Sequence, residues 1–71
     1  MALQIERRTA SAEITRHWFQ ANRVARRSRK FPVVALPLKG AMGNLLVIHE
    51  IDFATVADNY AELASLLVAT G

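Results

Sequence analysis

The stretch spanning residues 9–32, TASAEITRHWFQANRVARRSRKFP, decides how this chain folds. Thr9 and Ser11 are both acceptable helix N-caps, and Glu13 falls in the first turn, where a negative charge suits the positive end of the helix dipole. From Ala10 onward Ile14, Trp18, Ala21 and Ala25 recur at spacings of four, three and four, with no Gly or Pro before Pro32. That period marks an amphipathic helix over residues 10–30 whose apolar stripe faces a core. Pro32 disfavours helical backbone at Phe31, so the helix should end around Arg29, with Lys30 at or just past its end.

On a wheel of about 100° per residue, Arg16, Gln20, Arg23, Arg27 and Lys30 fall within about 80° of one another, opposite that stripe. A cationic ridge results. Arginine forks onto phosphates or guanine edges, Gln can pair with adenine, and a single helix fits a major groove. A solvated face is the commoner fate of helical charge, but six of the nine Lys/Arg lie between Arg16 and Lys30, which favours nucleic-acid contact. Phe19 sits beside the ridge, about 140° from Ile14, and needs cover; a partner subunit is the first choice, stacking on an unpaired base the second. Trp18 reads as core.

Outward from the helix, Leu3 and Ile5 alternate with Gln4 and Glu6, the pattern of a short strand with one buried face. Residues 31–38 are apolar and partly β-branched, a strand in which Pro37 implies an edge or an end. The loop 39–44, Lys-Gly-Ala-Met-Gly-Asn, carries two glycines able to take positive φ and reads as a hairpin tip returning into a strand at 45–49. Lys39 at that tip could touch a DNA backbone as a wing beside the helix. Asp52 can cap a second helix on which Phe53, Val56, Ala57, Tyr60, Leu63, Ala64 and Leu67 form the apolar face and Asp52, Asp58 and Glu62 the solvated one. The expected order is β-α-β-β-α: one α+β domain over residues 1–71, with a small sheet containing an antiparallel hairpin packed on two helices.

Seventy-one residues bury only about 60–65% of the surface that the unfolded chain exposes, and without Cys no disulfide reinforces the thin core. Self-association is the expected remedy. Residues 1–40 hold nine Lys/Arg and two acids, a net +7, whereas residues 41–71 hold four acids and no Lys or Arg, a net −4. Such polarity points to nucleic acid or an acidic protein as the partner of one face. The apolar runs are far below the ~20 residues needed to cross a bilayer, and the start lacks the pattern of a secretory signal, so the cytoplasm is the expected location. His17, His49, the serines and six acids form neither a nucleophile elbow nor a metal-ligand spacing, so neither an enzyme nor a cofactor or metal site is expected.

The carriers Phe31-Pro32-Val33-Val34, Gly40, Leu45-Leu46-Val47-Ile48 and Asp52-Phe53, in the order strand, helix, strand, hairpin, strand, helix, give a chain that resembles the N-terminal domain of Phd/YefM-type antitoxins. The resemblance spans residues 1–65. It implies a dimeric operator-binding domain that represses its own toxin–antitoxin operon, with DNA contacts at Arg7, Arg8, Arg16, Arg23, Arg27 and Lys39; in departure from the family's pattern, residues 1–71 are expected to form a single domain with no separate toxin-binding tail. A toxin or another protein is a further partner in that setting. The competing expectation is a small protein-binding inhibitor or adaptor, of phage or plasmid type, that blocks a larger partner through its basic face. A third, single-stranded RNA binding, would use Phe19 for stacking.

Overall fold

Ser11, not Thr9, starts the first helix: its Oγ accepts the Ile14 N–H at 3.1 Å and fixes α1 as Ala12–Arg27. In this computed structural model, which describes residues 2–70, two strands and two further helices follow. Strand β1 (Val34–Pro37) pairs antiparallel with β2 (Asn44–Val47), in the register Val34 to Val47 and Pro37 to Asn44. A single 3-10 turn (Glu50–Asp52) leads into α2 (Phe53–Asp58) and then α3 (Tyr60–Thr70). The class is α+β, with a hairpin as the sheet and α1 packed on β1. At the hairpin tip the Leu38 N–H donates to the Gly43 carbonyl at 3.2 Å, and Gly40 and Gly43 take φ of 82° and 93°, the left-handed backbone that glycine adopts without a Cβ penalty.

Four expectations are corrected. No strand forms at residues 3–6: the segment is irregular, and Leu3 and Ile5 are 83% and 84% exposed. Alternation over four residues supplies two apolar side chains but no hydrogen-bonding edge, and a strand needs both. Helix α1 stops at Arg27, two residues short of the expected end at Arg29. Its end is a Schellman turn, in which the Lys30 N–H donates to the Ala25 carbonyl at 2.9 Å and the Arg29 N–H to the Arg26 carbonyl at 3.1 Å. Arg29 adopts φ 55° at the position usually held by glycine.

The second helix is two. Asn59 interrupts it, its N–H reaching back three residues to Val56 at 3.1 Å and its side-chain Nδ2 donating to the Thr55 carbonyl at 2.7 Å. An amide side chain that satisfies the preceding turn competes with continued helix. Asp52, lastly, neither caps α2 through its side chain nor lies on the solvated face. It is buried, whereas Asp58 and Glu62 are exposed.

Among the described residues only Pro32, Asp52 and Val56 are buried. The apolar stripe of α1 is half-buried at Ile14, Trp18, Ala21 and Ala25, so the sequence period is reproduced but incompletely covered. The chain exposes 6600 Å², against about 4400 Å² for a compact monomer of 7.9 kDa. Its radius of gyration, 13.0 Å, likewise exceeds the roughly 11 Å expected for this length.

Candidate nucleic-acid interface

Helix α1 presents two faces with different chemistry. Ile14, Trp18, Ala21, Asn22 and Ala25 turn inward, and Arg16, Gln20, Arg23 and Arg27 stand exposed on the other side. At 1.5 Å per residue the helix is about 24 Å long, and Arg16 and Arg27 are separated by about 16 Å along its axis. Among the described residues none of these three arginines makes an ion pair. Their charges therefore face solvent undiminished.

Arg26, one residue from the ridge, behaves differently. Its Nη2 donates to Asp52 Oδ2 at 2.8 Å, its Nε donates to Asn22 Oδ1 at 3.0 Å, and its guanidinium carbon lies 5.3 Å from the centre of the Phe31 ring. The Asp52 side chain is 7% exposed, so this pair joins the last turn of α1 to the 3-10 turn that leads into α2, with one charge held away from water. Sequence patterning offered no sign of it: partners 26 residues apart follow no helical or strand period.

The other expected contacts are scattered. Lys30 lies past the left-handed Arg29, off the wheel that placed it on the ridge, and lines a cleft of about 300 Å³ with Phe31, Val33, Val56 and Leu63. This corrects its assignment to the ridge. Arg7 and Arg8 belong to the irregular segment 2–10, where Arg8 Nε donates to Glu6 Oε2 at 3.2 Å in an exposed pair of little energetic weight. Lys39 is exposed at the hairpin tip.

Phe19 is 60% exposed beside the ridge, as expected. It meets Trp18 edge-on, with ring centres 5.4 Å apart at 73°. Trp18 is only half-buried rather than plain core, and its ring lies 5.5 Å from that of His49. Its indole N–H is enclosed without a hydrogen-bond partner. Together these side chains wall a groove of about 540 Å³ that Ile14, Asn22 and Ile48 complete. His49 Nδ1 accepts the Ile51 N–H at 3.1 Å and so caps the 3-10 turn, while His17 Nε2 lies 3.8 Å from Glu13 Oε1 one turn away.

Among the described residues no three His, Asp or Glu side chains gather as a metal site, and no helix is long and apolar enough to cross a membrane. What the arrangement offers is a donor-rich ridge of fixed spacing suited to anionic oxygens, flanked by an uncovered aromatic edge. No protein-family model, no curated protein and no solved structure matches the chain.

Proposed function

We propose that this chain is a sequence-specific regulator of transcription that binds duplex DNA as a homodimer through α1, in the manner of an antitoxin-like autorepressor. The observation that carries the reading is the exposed, unpaired row Arg16, Gln20, Arg23 and Arg27 on a regular helix. A helix fits the major groove, about 12 Å wide, and three arginines along about 16 Å supply both phosphate contacts and base-reading forks. The +7 balance of residues 1–40 adds long-range attraction, and Arg7, Arg8 and Lys39 are the further candidates for backbone contact. A gel shift on duplex taken from upstream of the protein's own gene tests this reading. The Arg23→Glu, Arg27→Glu double variant should abolish the shift with an unchanged circular dichroism spectrum, and an undiminished shift would overturn the proposal.

A second reading is favoured by one specific observation, Phe19 standing 60% exposed at the edge of the ridge. An exposed aromatic beside arginines also suits a small inhibitor or adaptor that anchors on an acidic surface of a larger protein, including a toxin. Stoichiometric capture of one protein, with no affinity for duplex, would favour it.

A further inference from the structure

We infer that the groove between α1 and the chain leaving β2 receives the N-terminal arm, residues 2–8, of a second copy of this chain. The inference deepens the homodimer reading above and rests on it. Three observations converge on the arm as occupant.

The first is shape. Leu3 and Ile5 are almost fully exposed and two residues apart, so in extended backbone they project from one side about 7 Å from each other. They are exposed apolar groups, and the groove of about 540 Å³ has apolar walls that include Ile14, Trp18, Phe19 and Ile48.

The second is charge. Arg7 and Arg8 lie directly beyond the apolar pair and Glu6, and Glu50 directly follows His49 at the groove's margin. Seating Leu3 and Ile5 against Ile48 and His49 carries the basic pair toward that carboxylate. The attraction is between the arm's basic pair and that one carboxylate.

The third is area. The exposed surface exceeds that of a compact monomer by about 2200 Å², whereas a standard interface covers about 800 Å² per partner and obligate dimers cover more.

The arm's own groove is the poorer site. Ala10 already lines the groove, so Leu3 and Ile5 could enter it only if Glu6-Arg7-Arg8-Thr9 doubled back. Those four residues include no Gly, Pro, Asn or Asp, the residues that make tight reversals cheap. Running straight on, the five residues from Ile5 to Ala10 reach about 17 Å, enough to cross to a neighbour, and a two-fold axis makes the exchange reciprocal.

The absence of Cys from the chain permits a clean test. Ile5→Cys and Ile48→Cys chains, purified separately with different tags, are mixed and oxidised, and the full chain and a variant lacking residues 2–8 are weighed by light scattering at tens of micromolar. The expected result is a disulfide joining one variant to the other as the main covalent product, and an apparent mass that halves on arm removal while the helical dichroism of α1 persists. A dimer that survives arm removal without forming the mixed disulfide would overturn the arm exchange and leave the dimeric regulator standing. A full chain that is monomeric would overturn both, as would an Ile5→Cys, Ile48→Cys double variant that closes only on itself in a monomer. None of these readouts uses DNA, so loss of duplex binding elsewhere does not bear on them.

Discussion

Arg29 holds the turn after α1 in a left-handed conformation, φ 55°, that costs a side-chain-bearing residue roughly 1 kcal/mol relative to glycine. Arg29→Gly should therefore raise stability by at most about 0.5 kcal/mol, after the greater freedom of glycine in the unfolded chain is set against the relief. Urea denaturation would show this as a higher midpoint at constant slope. A few residues away, Arg26→Ala should cost about 2 kcal/mol, because Asp52 would keep a buried carboxylate without its partner; the figure allows for the 45% exposure of the Arg26 side chain. A double-mutant cycle with Asp52→Asn should recover much of that loss, and additivity of the two changes would refute the coupling. Neither residue declared its role in the sequence. Arg29 stands where a glycine would have flagged the turn, and Asp52 looked like an ordinary cap because its position before Phe53 satisfies the cap pattern.

Elements were legible where a period ran long enough to be tested against itself. The stripe Ile14, Trp18, Ala21 and Ala25 extends over three turns, and the structure turns that stripe inward and leaves Arg16, Gln20, Arg23 and Arg27 outside. The hairpin was equally readable, because Gly40 and Gly43 mark the two positions where its tip takes positive φ. The failures came from short patterns and from side chains that compete with the backbone. Leu3 and Ile5 give two beats of a strand with no edge to join, and Asn59 breaks a helix whose apolar period continues through it. Ser11 is the local determinant of α1, so Ser11→Ala should cost about 1 kcal/mol and fray the first turn. Amide exchange at Ile14 and Thr15 would report it as lost protection, whereas Thr9→Ala should leave the same amides unchanged.

At the scale of the whole molecule the decisive property is incompleteness. Three buried residues among those described, and an exposed area half as large again as a compact monomer's, describe a chain whose apolar stripe awaits cover. Composition already implied this through the short length and the lack of Cys. The surface that supplies the cover was hidden, because the groove arises from Trp18, Phe19 and His49 meeting across distant segments. Phe19→Ala should accordingly weaken self-association at least ten-fold in sedimentation experiments while sparing the helical signal, as expected of an aromatic anchor at an interface. The ridge adjoins this groove across Phe19, and DNA is the partner we propose for it.

The salt dependence of duplex binding tests that claim most directly. A dimer presenting Arg16, Arg23 and Arg27 twice should lose affinity with a logarithmic slope of about −5 between low and moderate salt, and Arg27→Ala should reduce its magnitude by about 2. Affinity that barely changes with salt, or a slope untouched by Arg27→Ala, would contradict the assignment of α1 as the DNA-binding surface.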